Sequence, residues 1–541
     1  MSAGGGTPRL VRDATFERCL ELGMSTIFSN PGSTEVPALS GLPSEFRFVL
    51  GLHEGSVVGM ATGLALAKET PVLVMLHTTA GFGNAVSALA TARVNKAPLV
   101  VLVGQQDRRH LAARPFLAGE LEGLAGNYPV SFAQPARPQD LPTMVTQAWH
   151  RARAFKGPAV VVVPMDDWLA EADTRPEASP REMIFSQQAD PAALRELAAK
   201  LEAAANPALV VGADADSAES WVALTTLAER LQCPVYQEAF GARAGFPQDH
   251  PLFAGHLPSA RSALRGLLEP YDVILCVGAP AFRQYPYDEG AFVGAGTWVA
   301  VLTDNEVEAE SSTSDMAVVT PLASACGYLA EMVGKREGRS AQVEHPSFPS
   351  FSDPERGLYP EDVFAALAER LGPETVLIEE SPSSRSRLQA MLPARRPLGF
   401  LSAAMGGLGF ALPAAIGVKM GLPGRPVVAV VGDGSAMYSI QSLWSAARYE
   451  VGALFVVLCN HSYSIMDRLH ERAAEGGAPP WPGFEEVDIA EIASALGCKS
   501  IEVATVAELR RALDSLPTNL AEMTAPMVIA VETACEPVLV I

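Results

Sequence analysis

At 541 residues, 48% of them hydrophobic, the chain is too long for a single core and apolar enough to fill several, so two to four domains are expected. Its 40 basic and 61 acidic residues give a formal net charge of -21, which repels polyanions at long range and argues against nucleic acid or an anionic membrane surface as partner. It has no apolar run of about 18 residues, and its Gly-rich start, Met1–Pro8, lacks the apolar stretch of a secretory signal, so a cytoplasmic location is expected.

In chain order, short β-branched runs alternate with Ala-rich amphipathic stretches, the pattern of βαβ units and parallel sheets. A strand Thr26–Phe28 leads to Asn30-Pro31-Gly32-Ser33, and the run Phe48–Leu52 leads into His53-Glu54 and a helix. Buried strands are predicted at Pro71–Leu76 (with His77 at its end), Pro98–Val103, Ala159–Val163 and Ala208–Val211. Further strands are predicted at Val273–Val277, Trp298–Leu302, Pro426–Val431 and Ala453–Leu458. The segments Asp166–Glu182 and Gly334–Gly357, rich in charge, Ser and Pro, read as linkers. They divide the chain into three doubly wound α/β domains at about 1–175, 188–335 and 356–541. The seven cysteines are scattered, without a CxxC pair, and read as free thiols.

The most specific feature is Gly432-Asp433-Gly434-Ser435, with 25 residues between Gly434 and Asn460. A strand enters the motif, a helix from about Met437 to Tyr449 leaves it, and the next strand delivers Asn460. Asp433 and Asn460 are thus expected at carboxyl ends of parallel strands, where open α/β sheets bind ligands. The donors suit a hard cation holding a diphosphate: the Asp433 carboxylate, the Asn460 amide oxygen and the Ser462 carbonyl. Gly432 and Gly434 let the backbone come close, and N–H groups at the helix start, around Ser435, can face phosphate. Alone, Gly-Asp-Gly is an ordinary strand-ending turn; spacing and context make it informative.

This motif resembles the thiamine diphosphate (ThDP) signature, and the resemblance to ThDP-dependent 2-keto acid decarboxylases, benzoylformate decarboxylases above all, runs from about Asp13 to Val531. It rests further on Gly406-Gly407-Leu408-Gly409-Phe410, on Leu76-His77-Thr78-Thr79-Ala80-Gly81-Phe82-Gly83-Asn84 and on Asn30–Ser33. The resemblance implies pyrimidine-binding, central nucleotide-fold and diphosphate-binding domains. It implies ThDP with Mg²⁺ (or Ca²⁺ in its place) as cofactors and a small 2-keto acid as substrate. It also implies a homotetramer, a dimer of dimers, with sites at subunit interfaces. By the same resemblance, Glu54 addresses the pyrimidine ring, Ser33 and His77 handle the substrate carboxylate and protons, Leu408 bends the cofactor and the Gly406 carbonyl holds its amine. Ser383, Ser384, Tyr463 and Ser464 join Gly432–Ser435 and Asn460 around the diphosphate.

Several positions depart from that pattern. Tyr285 stands where the family has a second catalytic histidine, Arg385 replaces a small hydroxyl residue, and His461-Ser462-Tyr463-Ser464-Ile465 replaces a Gly-Thr-Tyr-Gly-Ala run. Ile465, Met466 and Leu469 are expected in the substrate pocket. Arg385 either faces that pocket, ready for a second anionic group, or makes a surface ion pair. Three readings stay open at this stage: a decarboxylase with carboligation as a side activity, an acetolactate synthase-like carboligase, and a ThDP-binding protein with little catalysis.

Overall fold

A computed structural model describes residues 8–173, 183, 188–336, 357–473 and 478–534. Three six-stranded, all-parallel sheets carry the fold. The first contains β1 Thr26–Asn30, β2 Arg47–Leu50, β3 Val72–Leu76, β4 Leu99–Gln105, β5 Ser131–Ala133 and β6 Pro158–Pro164, in the order β2-β1-β3-β4-β6-β5. The central sheet contains β7 Pro207–Val211, β8 Val235–Gln237, β9 Phe253–His256, β10 Val273–Val277, β11 Trp298–Thr303 and β12 Met316–Val319, in the order β12-β11-β10-β7-β8-β9. The third contains β13 Val376–Glu380, β14 Phe400–Ser402, β15 Val427–Gly432, β16 Leu454–Cys459, β17 Lys499–Val503 and β18 Met527–Glu532, in the order β14-β13-β15-β16-β18-β17. Strands such as β3, β4 and β6 are buried along their whole length, as covering helices on both faces require, which is why they read as unbroken apolar runs.

Numbered within its own domain, the first sheet and the third have the same order, 2-1-3-4-6-5, whereas the central sheet has the dinucleotide-fold order 3-2-1-4-5-6. The outer domains are tied together by the helices Glu54–Lys68 and Ala411–Gly421, which cross at backbone contact. A Cβ on Gly63 would lie 2.2 Å from the Ala414 carbonyl oxygen, and one on Gly417 would lie 1.9 Å from that of Met60. Both helices begin at the carboxyl ends of the second strand of their sheets, so this crossing fixes the loops that carry Glu54 and Leu408.

Two sequence expectations need correction. The segment Asp166–Asp173 is not linker. Asp167 is fully buried and receives Arg108 Nε and Nη2 at 2.6 and 2.7 Å, Trp168 stacks on Phe16, and Leu10 bridges Glu171. Its charge suggested a surface tether, but the ion pair takes that charge inside. Most of both linkers, and with them the domain bounds at 175 and 356, lies outside the described residues. The helix after Asp433 is also not continuous. One turn, Asp433–Ala436, gives way to tighter turns in which Tyr438, Ser439 and Ser442 N–H groups reach back three residues, and helix resumes only at Ser442–Arg448.

Candidate active site

Loops at the carboxyl end of the first sheet converge on Glu54. This carboxylate is 7% exposed and accepts Asn30 Nδ2 on Oε1 and Asn84 Nδ2 on Oε2, each at 3.1 Å. The capping of its helix is done by the preceding residue, since His53 Nδ1 accepts the Gly55 N–H at 3.0 Å. Glu54 is therefore not a cap. It is held by two neutral amides in a buried position.

His77 is the residue just beyond β3. Its Nδ1 lies 2.9 Å from Thr34 Oγ1 and 3.2 Å from Glu35 Oε2. Thr34 and Glu35 are buried; the Glu35 carboxylate also accepts the Gly32 N–H at 2.8 Å and the Thr34 hydroxyl at 2.5 Å. The Pro-Gly turn has a steric reason: a Cβ on Gly32 would lie 2.4 Å from the His77 ring. Gly81 separates the two groups, with His77 Cβ and Glu54 Cγ 3.3 and 3.4 Å from where its Cβ would be. Ser33 is exposed in the same turn. Asn30, Asn84, Thr34 and Glu35 were given no role from sequence. Asn30 and Asn84 are end residues of quoted motifs and Thr34 and Glu35 directly follow one, but nothing in one chain's spacing reveals that they point inward.

The second constellation is at the third sheet. Asp433, 3% exposed, accepts the Gly434 N–H on Oδ1 at 2.7 Å and those of Asn460 and His461 on Oδ2 at 2.9 and 2.7 Å. Burial raises its proton affinity against those three hydrogen bonds. Asn460 Oδ1 accepts the Ser462 N–H at 3.2 Å and its Nδ2 donates to Ser464 Oγ at 2.7 Å, with Ser462 Oγ 2.9 Å from Ser464 Oγ. Gly434 is where Tyr463 packs: a Cβ there would lie 2.8 Å from that ring. Asp433, Gly434, Asn460, Ser462, Tyr463 and Ser464 are thus gathered in one place. His461 adopts φ +55° and pairs through Nε2 with Glu532, at the end of β18, at 2.8 Å.

Three family descriptions match the chain: "Thiamine pyrophosphate enzyme, N-terminal TPP binding domain" over residues 9–125, the "central domain" over 194–329 and the "C-terminal TPP binding domain" over 361–531. A benzoylformate decarboxylase from Pseudomonas aeruginosa is 36% identical over 93% of this chain and 96% of its own. The chain belongs to the thiamine diphosphate-dependent 2-keto acid decarboxylase family. The solved structure of a 4-hydroxybenzoylformate decarboxylase from Rhodococcus jostii agrees at a TM-score of 0.91 and 33% identity, covering 98% of this chain and 100% of the other. That of a benzoylformate decarboxylase from Polynucleobacter necessarius also scores 0.91, at 32% identity, covering 98% and 99%. A putative acetolactate synthase large subunit from Mycobacterium tuberculosis is 26% identical over 91% of this chain and 93% of its own.

Within this family fold, the remaining expected site residues separate. Ser383 is half-buried and Ser384 is buried in the turn after β13. Arg385 is engaged: Nε donates to Glu379 Oε2 at 2.7 Å and Nη2 to Ser402 Oγ at 2.5 Å, and Glu379 is 2% exposed. Gly406 and Leu408 lie in the loop before helix Ala411–Gly421. Tyr285, in the loop after β10, is 55% exposed. Ile465, Met466 and Leu469 lie in helix Ser464–Ala473, with Met466 the most exposed of them. The central crevice carries carboxylates where a nucleotide-fold sheet ordinarily takes phosphate. Asp214, after β7, pairs with Lys96 from the first domain, which also lies 3.1 Å from Glu308. Burial pushes the neighbouring Glu238 up to about 7.

Proposed function

We propose that the chain binds ThDP and Mg²⁺ through the two constellations and decarboxylates an aryl-type 2-keto acid, as the names of its relatives suggest. The observation that carries this is Asp433. It is a buried carboxylate held by backbone N–H groups, one of them that of Asn460, whose side-chain amide is a further oxygen donor. That oxygen donor set suits a hard divalent cation and a diphosphate, so the residues fit the group. Asp433, Asn460 and the Ser462 carbonyl would hold the metal; Ca²⁺ could replace Mg²⁺. Gly432–Ser435, Ser383, Ser384, Tyr463 and Ser464 would surround the diphosphate, and Gly406 with Leu408 the ring system.

When bound, thiamine diphosphate supplies a cationic thiazolium that accepts the electron pair left as CO₂ departs. The chain's own residues do the rest. Glu54, aimed by Asn30 and Asn84, would share a proton with the pyrimidine ring. His77, with Nδ1 committed to Thr34 and Glu35, would present Nε2 for proton transfer at the reacting carbon. The exposed Ser33 would hold the substrate carboxylate. Ile465, Met466 and Leu469 would shape the side-chain pocket, and Tyr285 would close it. Arg385, being engaged by Glu379 and Ser402, would act on that pocket only from its edge.

Glu54 and Asp433 belong to different domains, and the proposed assembly is a homotetramer, a dimer of dimers, in which one subunit's Glu54 meets the partner's metal site. The proposed location is the cytoplasm; no helix among the described residues is long and apolar enough to cross a membrane. The test is CO₂ release with ThDP, Mg²⁺ and a panel of aryl and aliphatic 2-keto acids; no release from any of them defeats the reading. A carboligase is the second reading, favoured by Tyr285: without an imidazole there, slower protonation leaves time for a second carbonyl. Product analysis with mixed substrates separates the two.

A further inference from the structure

Glu380 ends β13 and is 5% exposed, yet it pairs with no cation among the described hydrogen bonds and ion pairs. Instead, its Oε1 accepts the Gly409 N–H at 2.6 Å and its Oε2 accepts those of Phe410 and Ala411 at 2.8 and 2.6 Å. These are the N–H groups that lead into helix Ala411–Gly421, immediately after Leu408. Gly406 and Gly409 both take left-handed backbone, φ +71° and +91°, so the loop between them is a defined bend rather than an extension of the helix. Tyr438 packs on that bend, its Cβ 3.0 Å from where a Gly409 Cβ would be. Glu379, on the other face of the strand, is taken by Arg385 and by the Ser381 N–H at 2.6 Å. The two adjacent carboxylates therefore hold two different turns.

We propose that Glu380 is a positioning residue that couples the two halves of the cofactor site. Its backbone runs directly into the Ser381–Ser384 turn assigned to the diphosphate. Its carboxylate grips the bend carrying Gly406 and Leu408, assigned to the ring system. The inference rests on the cofactor site proposed above and deepens it: the strand end sets the distance between the diphosphate turn and the bending residue. A glutamine cannot substitute, because its single amide oxygen leaves at least one of the three N–H donors facing an NH₂ group.

The test measures two probes on Glu380→Gln by calorimetry: ThDP with Mg²⁺, and inorganic pyrophosphate with Mg²⁺, which reports the diphosphate half alone. At about pH 8, where the carboxylate is ionised, charge-assisted bonds of this kind make a loss of about tenfold or more in ThDP affinity the expected result. Pyrophosphate affinity should stay within about twofold of the wild type, and the circular-dichroism signal of bound ThDP should change shape. Equal loss of both probes, or loss of neither, overturns the proposal. Should the variant not fold, hydrogen exchange on the wild-type chain decides. The amides of Gly409, Phe410 and Ala411 should exchange more slowly than those of Gly407 and Leu408, and equal rates overturn it. Asp433→Ala is the control on the underlying site. Should that variant keep both probes, the site assignment fails; should it lose both while Glu380→Gln keeps ThDP, only the coupling fails.

Discussion

His77 and Asp433 occupy the same place in two sheets of one strand order, each standing one residue beyond the carboxyl end of the third strand. The equivalence extends to the neighbouring loops. Asn30-Pro31-Gly32-Ser33 and Ser381-Pro382-Ser383-Ser384 follow the first strands, and Glu54 and the Leu408 bend follow the second. A duplicated scaffold thus offers the same three loop positions twice. In the proposed reading, one copy is furnished with a carboxylate for a cation, the other with an imidazole and a carboxylate for protons.

Removal of the Asp433 carboxylate tests the first half. Asp433→Ala should lose metal-assisted ThDP binding by about a hundredfold or more, since both the charge and the point holding the Asn460 and His461 N–H groups disappear. Calorimetric titration with ThDP at saturating Mg²⁺ measures it, and near wild-type affinity contradicts the site.

The other half is tested at a distance from the reacting atoms. Glu35 touches His77 Nδ1 and is buried beneath β4, where a Cβ on Gly104 would lie 1.9 Å from its Oε1. Both Glu35→Gln and Gly104→Ala should lower kcat by roughly tenfold or more through a misaimed imidazole, leaving ThDP affinity unchanged. A parallel fall in cofactor affinity would show that the change is not confined to His77.

Much of this was legible beforehand, and the parts that were not share one cause. Strands such as Val273–Val277 read directly because burial on both faces forbids polar residues. Asp433 and Asn460 read because a strand, a return and a second strand fix their spacing. Glu35 and Glu379 were given no role, because a carboxylate in sequence reads as surface until the group that neutralises or hydrogen-bonds it is known. The same blindness made Asp166–Asp173 look like linker. The helix after Asp433 was drawn too long because its composition is helical throughout, while its Tyr438–Ser442 bonds close three residues back.

Burial gives Glu380 a pH signature. Its folded-state value is pushed up to about 7 from an ordinary 4.5, burial outweighing the three N–H bonds. A carboxyl with a raised value contributes stability that is complete below about pH 4.5 and is lost as pH rises through about 7, because the unfolded chain ionises first. The difference amounts to roughly 3 kcal/mol. Denaturant unfolding of the cofactor-free chain should therefore show wild type losing ground to Glu380→Gln between pH 5 and 8. A constant gap across that range contradicts the assignment.

His461 provides a chain-specific test of local strain. Left-handed backbone at a residue with a Cβ costs about 1 kcal/mol, and here the imidazole is held there by Glu532 at 2.8 Å. Glu532→Ala leaves the strain in place without its tether, so it should destabilise the chain by about 1 kcal/mol and loosen the loop bearing Asn460 and Ser462. In a His461→Gly background the strain and the partner are both absent, and the same Glu532→Ala change should then have almost no effect. The four unfolding free energies of this cycle decide the matter: equal effects of Glu532→Ala in the two backgrounds would show that the carboxylate acts on something other than His461.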